Sequence, residues 1–309
     1  MTSYNSNEVI RYDETTGAVL PNSVVAGSGG LHQPIGLVID ANGDLLVSSS
    51  ATNRILRYDG TDGSFKDIFT DQGSMDDPNG ITIGPNGNVF VSSTDTDEVK
   101  QFDVLDGSPI AIPPLQNGNF VVSPAITRPG RLKFGPDGDL YVLSVQSGTG
   151  SVHRFDGTTG ADLGIFAAHQ DLINPTGLTF GPNGDLYVSD EVSGNIKLFD
   201  GTTGFYNGVF ADGIDGPVDE LGRPRGIAFG PDGHLYVADW EDDTIRRFSG
   251  TNGEFIDVFA SGGGLNGALD LVFTSQQAVP EPSTYALAAF GLVALGLYGW
   301  RRRRSRQRA

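Results

Sequence analysis

Gly181-Pro182-Asn183-Gly184-Asp185-Leu186-Tyr187-Val188-Ser189-Asp190 is a tight turn followed by a short alternating strand. Proline presets one backbone angle, and glycine takes the positive φ that other residues resist. The phrase returns as Gly84-Pro-Asn-Gly-Asn-Val-Phe-Val-Ser-Ser93, Gly135-Pro-Asp-Gly-Asp-Leu-Tyr-Val-Leu-Ser144 and Gly230-Pro-Asp-Gly-His-Leu-Tyr-Val-Ala-Asp239, with a looser copy at Asp40-Ala-Asn-Gly-Asp-Leu-Leu-Val-Ser-Ser49. The last turn glycines fall at Gly43, Gly87, Gly138, Gly184 and Gly233, in steps of 44, 51, 46 and 49 residues. A period of this size marks a repeat architecture.

Each repeat holds four strand signals. A short strand precedes the turn (Gly177-Leu-Thr-Phe180, Gly226-Ile-Ala-Phe229, Gly80-Ile-Thr-Ile83). The alternating strand follows it. In Leu186-Tyr187-Val188 both faces are apolar, so the sheet should be covered on both sides. A third strand comes next (Asn195–Asp200, Thr244–Phe248, Arg54–Asp59). After a Gly-Thr-Thr-Gly turn there is a fourth (Gly208–Ala211, Asp257–Ala260). Four antiparallel strands joined by short turns make one blade of a β-propeller. The Pro-x-Gly-Ile-Ala-Phe, Gly-Asp-Leu-Tyr-Val-Ala-Asp and Ile-x-x-Phe-Asp strands resemble the NHL repeat family over nearly all of residues 5–273.

The two ends are expected to share one blade. Residues 7–13 match third strands and 23–26 match fourth strands. Thr2–Tyr4 matches the end of a second strand, and residues 269–273 match a first strand. Five complete repeats plus this composite predict an all-β, six-bladed propeller over 1–274. The partial second strand, and the lack of a leader-like stretch at Met1–Asn5, predict a translated start upstream of Met1 with a signal peptide. Pro109–Pro114 reads as an insertion before a fourth strand near 120–122, and Gly213–Gly222 as a longer acidic loop. No 3.6-residue periodicity stands out in 1–274, so almost no helix is expected there.

The 44 glycines and 17 prolines suit a turn-rich all-β chain, and the absence of cysteine excludes disulfides. Residues 1–279 carry 14 Lys+Arg against 37 Asp+Glu, a net charge of −23. A surface this acidic argues against a nucleic-acid partner.

The C-terminus changes character. Residues 275–284 form a linker containing Pro280, Glu281 and Pro282. An apolar run at 285–300 predicts a transmembrane helix, although 16 residues is slightly short of a full span. Arg301, Arg302, Arg303 and Arg304 head a basic tail at 301–309 that would stay cytoplasmic as a stop-transfer signal. A simple tail anchor would account for this much. The order Pro-Glu-Pro motif, apolar run and arginine cluster also resembles the PEP-CTERM sorting signal of Gram-negative bacteria that make exopolysaccharide. That resemblance implies export, anchoring through 285–300, processing by an exosortase-type membrane protease, and delivery to the cell surface or extracellular matrix.

Catalytic signals are weak. His32, His153, His169 and His234 form no metal-ligand spacing, and no nucleophile elbow, P-loop or dinucleotide fingerprint occurs. No catalytic or metal-binding residue is assigned and no cofactor is expected. Calcium is left open only because Asp40–Asp44 superficially resembles a calcium loop; it lacks the glycine and distant glutamate of that motif, and a turn reads better.

By the family resemblance, the loops after second strands share a face with the segments before first strands. That rim carries Arg128, Arg131, Arg223 and Arg225 with Asn79 and Asn174, beside Asp190, Glu191, Asp239 and Trp240. Arginine grips carboxylates and phosphates through a planar fork. One reading is a rim that recognises an anionic polysaccharide or a surface protein, with Trp240 as a platform. The other is that these arginines pair with Asp190, Glu191 and Asp239 between blades. For the whole chain the leading expectation is a non-enzymatic interaction module. A metal-dependent lactonase or lyase working in the central channel is the alternative, although the channel mouth is richer in arginine than in carboxylates. A structural matrix protein is the third reading.

Overall fold

Gly43, Gly87, Gly138, Gly184 and Gly233 all take φ between 78° and 84°, the left-handed conformation that the turn reading requires. They come from a computed structural model that describes residues 1–274 except 71, 72, 74, 111, 113, 114, 116, 147 and 213–220. Parts of the Pro109–Pro114 insertion, most of the Gly213–Gly222 loop, the linker, the apolar run and the arginine tail therefore lie outside the described residues.

The chain starts with two short strands, β1 (Thr2–Ser3) and β2 (Glu8–Val9). Blade I is β3 (Pro34–Ile39), β4 (Leu45–Ser49), β5 (Arg54–Tyr58) and β6 (Phe65–Thr70). Blade II is β7 (Pro78–Ile83), β8 (Val89–Ser93), β9 (Glu98–Phe102) and β10 (Asn119–Val122). Blade III is β11 (Leu132–Phe134), β12 (Leu140–Gln146), β13 (Thr149–Phe155) and β14 (Asp162–Ala168). Blade IV is β15 (Pro175–Phe180), β16 (Leu186–Asp190), β17 (Asn195–Phe199) and β18 (Tyr206–Asp212). Blade V is β19 (Pro224–Phe229), β20 (Leu235–Asp239), β21 (Thr244–Phe248) and β22 (Phe255–Ser261). In every blade the strands pair in sequence order, antiparallel throughout. The helical content of the described residues is three single 3₁₀ turns, at Ser28–Gly30, Ser50–Thr52 and Thr94–Thr96.

The blade count differs from the sequence expectation. Five sheets have four strands, and no sixth four-stranded blade forms among the described residues. The two ends do meet where a sixth would stand. Thr2 donates its amide to the carbonyl of Asp270 (2.8 Å), and Ser3 bridges Ala268. β1 pairs with β2, and Val9 bridges Val24. These are a two-residue ladder and single bridges rather than strands. β1 contributes only Thr2 and Ser3 to its ladder with β2. We call this region the closing sector.

The hydrophobic core lies between blades. Phe90, Val99 and Phe120 of blade II pack on Leu132, Leu140 and Phe155 of blade III, and the other junctions repeat the pattern. The second-strand aromatic sets an edge-to-face contact with the next inner strand: Tyr141 on Phe180, Tyr187 on Phe229 and Tyr236 on Phe273, with ring centroids 4.8–4.9 Å apart. The turn's acidic or amide residue also serves this contact. Asp137 accepts the amide of Asp139 and the hydroxyl of Tyr141, and Asp232 does the same for His234 and Tyr236.

The serine after the second-strand valine is a staple between blades. The Ser92 hydroxyl accepts the Gly80 amide of its own blade (2.8 Å) and donates to the Gly130 carbonyl of the next (2.6 Å). Ser48 links Gly36 to Asn79 in the same way, Ser189 reaches Arg225, and Thr2 of the closing sector reaches Ile35. Ser92→Ala would leave a buried amide and carbonyl without their partner. It is expected to cost about 1–3 kcal/mol of stability, read from urea unfolding, whereas an exposed control such as Ser64→Ala should stay near wild type.

Candidate binding face

The predicted rim residues fall into three different environments. Asp190 and Asp239 are fully buried. Asp190 accepts the amides of Ile173, Asn174, Val192 and Ser193. Asp239 accepts those of Gly222, Arg223 and Glu241, and its Oδ2 lies 3.1 Å from Nε of Arg246. Each carboxylate thus ties the loop before a first strand to the loop after the second. In blades I to III a serine (Ser49, Ser93, Ser144) does this with one pair of hydrogen bonds.

The surface group is Arg223, Arg225, Glu191 and Trp240. Glu191 on blade IV takes Arg223 through Oε1 and Arg225 through Oε2 (2.6 Å to the latter), so the arginine just before β19 and the one within it are both paired across the junction. The Arg225 guanidinium also lies 5.1 Å from the Trp240 ring centre, and the Tyr4 ring centre lies 5.5 Å from that of Trp240. Burial, opposed by Glu191, lowers the Arg225 pKa, and the arginine remains charged. Arg223 keeps 43% of its side chain exposed. Arg128 stands apart at the junction of blades II and III, 65% exposed, with Asp95 at 3.5 Å.

Arg131 is elsewhere again: it is only 7% exposed and crosses the central channel. Its Nη1 approaches Asn79 Oδ1 (3.3 Å) on blade II. Its Nη2 approaches the carbonyls of Ile35 and Leu269 (3.4 Å each) and Asp270 Oδ2 (3.8 Å). Asp270 in turn accepts the Leu37 amide at 3.3 Å. Arg131 belongs to blade III and Asp270 to the closing sector opposite, so the pair spans the channel at one level.

Sequence reasoning missed Asp270 and Lys133, but a signal was present. The other inner strands carry glycine at this place: Gly36, Gly80, Gly177 and Gly226. A Cβ on Gly36 or Gly177 would sit 2.3–2.4 Å from a neighbouring carbonyl oxygen, so the inner strands need that glycine where they run close. Arg131 and Asp270 are the two departures from the column, with opposite charges. Lys133 lies two residues beyond Arg131. Its side chain is exposed although protein surrounds it. The crowding lowers its pKa and Asp270 opposes the shift; water access makes the lowering smaller than in a dry interior.

A second set of polar groups occupies the middle of the third strands, between blades. Leu56 fills this place in blade I, and Lys100, His153, Lys197 and Arg246 fill it in blades II to V. Lys100 meets Glu98 (2.5 Å), Lys197 meets Ser193 and Asn195 (2.9 and 2.8 Å), and Arg246 meets Asp239 and Asp242. His153 has Ser151 on Nε2 (3.0 Å) and no partner on Nδ1 among the described residues.

No three His, Cys, Asp or Glu side chains converge as a metal centre requires, among the described residues. His169 stacks on Tyr206 at 3.9 Å, and His234 sits in its turn. At the Asp40–Asp44 turn, Asp40 Oδ1 accepts the amides of Asn42 and Asp44, while Asp44 takes Lys66 at 2.6 Å. This is an aspartate-capped turn with an ion pair.

With this geometry in view, comparisons with known proteins place two segments. Residues 221–248, the core of blade V, match the NHL repeat. Residues 278–304 match the PEP-CTERM protein-sorting motif. A comparison with curated proteins found no match. Among solved structures, the nidogen/laminin complex is similar with a TM-score of 0.70 at 15% identity, over 87% of this chain and 95% of that one. A catalytically inactive virginiamycin B lyase from Staphylococcus aureus with quinupristin gives 0.59 at 21%, over 83% and 79%. A gluconolactonase from Xanthomonas campestris gives 0.61 at 18%, over 78% and 79%. At these identities the likeness is one of fold.

Burial lowers the His153 pKa from about 6.5, against the pull of Asp162. A base with a depressed folded pKa contributes full stability above its unfolded value, and that contribution is lost as pH falls through the window below it. His153→Leu, which copies Leu56 of blade I, is therefore expected to shrink the drop in Tm between about pH 7.5 and pH 5.5, leaving the remainder to other groups. An unchanged drop would show that His153 is not held neutral.

Proposed function

We propose that this chain is an exported β-propeller, sorted to the cell surface through its C-terminal tail and acting there as an interaction module. The observation that carries the sorting half is the match at 278–304, which contains Pro280-Glu281-Pro282, the apolar run and Arg301–Arg304 in order. Such a motif implies processing by an exosortase in the membrane. No helix of the described residues is long and apolar enough to cross a membrane, and the 285–300 span lies outside them. In a host with an exosortase, wild type should reach the surface or medium in a form lacking the arginine tail. A variant with Pro280, Glu281 and Pro282 all changed to alanine should remain as the full-length membrane species. Equal processing of both would remove the motif from the account.

The interaction half rests on the cluster of Arg223, Arg225, Glu191, Trp240 and Tyr4 at the channel mouth. A tryptophan face beside two guanidinium forks suits a sugar ring bearing a carboxylate. Glu191 now occupies those forks, so an acidic ligand would compete with it, and an incoming strong anion would use the more exposed Arg223 first. The expected partner is an anionic polysaccharide or an acidic surface protein. Arg223→Ala with Arg225→Ala should abolish retardation in gels containing an acidic polysaccharide. Binding by wild type should also weaken with added salt. Retardation of the double variant equal to wild type would assign the arginines to blade pairing alone.

The competing enzymatic reading, a metal-dependent lactonase or lyase, places its chemistry in the channel. Here the Arg131–Asp270 pair crosses that channel and Lys133 stands beside it. Stoichiometric divalent metal in the purified protein, with a Tm lowered by chelator, would favour the enzyme.

A further inference from the structure

In each complete blade one third-strand residue lies opposite the second-strand residue that faces the next blade. Arg57 is opposite Leu46, Gln101 opposite Phe90, Arg154 opposite Tyr141, Leu198 opposite Tyr187 and Arg247 opposite Tyr236. Three of the five are arginines, and all three are held alike, with the planar group near an aromatic ring and its N–H groups on oxygen atoms. Arg57 lies 4.8 Å from the Phe69 ring centre and donates to the Leu105 carbonyl of blade II (3.2 and 3.3 Å). Arg154 lies 5.9 Å from the Tyr141 ring centre and meets Asp137 and Asp139 at 2.8 and 2.7 Å. Arg247 lies 5.9 Å from Tyr236 and 5.3 Å from Phe259, and meets Asp257 at 2.5 Å. Blade II fills the place with Gln101, which is buried.

Blade IV keeps the frame and lacks the cation. Tyr187 and Phe210 stand edge to face at 4.8 Å, as Tyr236 and Phe259 do in blade V. The oxygen atoms are in place as well. Asp185 is the counterpart of Asp139: each takes the amide of a turn glycine at 3.2 Å, Gly201 and Gly157 respectively. The other oxygen of Asp139 holds Arg154, whereas that of Asp185 has only the Asn183 side-chain amide (2.8 Å). The Thr251 carbonyl of blade V occupies the turn position of the Leu105 carbonyl that receives Arg57, and no described residue donates to it. Gly208, without a side chain, stands opposite Leu198 where Asp257 stands opposite Arg247, which leaves room. A cavity of about 600 Å³ opens at this place, between Asn183, Tyr187, Leu198 and Phe210 of blade IV and Asp232 and Thr251 of blade V.

We propose that this cavity is a guanidinium slot: it takes an arginine side chain of a partner protein, stacked on Tyr187 and Phe210 with its tip between Asp185 and the Thr251 carbonyl. The partner's arginine thereby supplies what Arg57, Arg154 and Arg247 supply from within their own blades. The strongly acidic surface favours a cation over a neutral group. The slot is formed by first-to-second and third-to-fourth turns, at the other end of the strands from the rim, and it needs nothing from Arg223, Arg225 or Trp240.

The test uses the full chain and an acetylated, amidated Gly-Gly-Arg-Gly-Gly peptide. Saturable binding is expected. Citrulline in place of arginine keeps the planar shape without the charge and should bind about tenfold or more weakly. Lysine keeps the charge without the planar fork and should bind about fivefold or more weakly. Leu198→Arg combined with Asn183→Asp rebuilds the blade III arrangement inside blade IV; it should keep the fold by circular dichroism and lose peptide binding. Asp185→Asn retains an acceptor for the Gly201 amide and should weaken binding about fivefold or more. The Arg223→Ala and Arg225→Ala double variant should bind the peptide as wild type does. No saturable binding by the full chain would overturn the proposal, and so would equal binding of the lysine or citrulline peptide. Unchanged binding by Asp185→Asn or by the folded Leu198→Arg, Asn183→Asp variant would overturn it too, as would loss of binding in the rim double variant.

Discussion

Each blade of this protein is a short sheet with apolar side chains on both faces, and it cannot be stable until both are covered. That requirement governs the rest of the structure. Leu186 and Val188 look towards one neighbour and Tyr187 towards the other, so blade IV is half of two different cores. The cover for each face is the next repeat, and the chain must turn until the last face meets the first. The serine staples and the Tyr-on-Phe contacts recur because every junction solves the same problem. Removing water from both sheet faces is the main favourable term, and the staples satisfy backbone groups that this burial would otherwise strand.

Closure is where the repetition breaks. Thr2 performs the work of the staple serine, and Ala268 and Ser3 pair as Pro224 and Asp239 do, so the closing sector keeps the contacts that align its neighbours. It does not keep the full ladder. The four junctions between complete blades are packed clusters of apolar side chains, and a cavity of about 360 Å³ lies beside the closing sector. The same sector supplies Asp270 to the channel. The charge pair with Arg131 thus links the point of closure to blade III on the far side, through the middle of the molecule.

The rim shows how similar residue types divide their labour. Asp190 and Asp239 are consumed by backbone amides and hold loops in place. Glu191, one residue further on, reaches across the junction and holds two arginines, of which Arg225 lies over Trp240. A single step along the chain separates a buried bracket from a surface cluster. This is the reason a list of polar rim residues in sequence order says little about which of them a ligand can touch.

The turn phrase and its spacing determined the repeat, the four strands per blade and their order, because turn chemistry and two-residue alternation are local properties. Even the strand ends were nearly legible: the structure starts β15 and β19 only two residues earlier, at Pro175 and Pro224. The tail motif was legible as well, being a linear signal. The number of complete blades was not, since Glu8 to Val24 carry the right alternation but only long-range pairing decides whether they form strands. The Arg131–Asp270 contact joins residues 139 positions apart in the chain, and it was visible in the sequence only as two gaps in a glycine column. Which arginine is buried, which is stacked and which is free to meet a partner depends on the distances between loops that the ring brings together, and those exist only once the chain has closed.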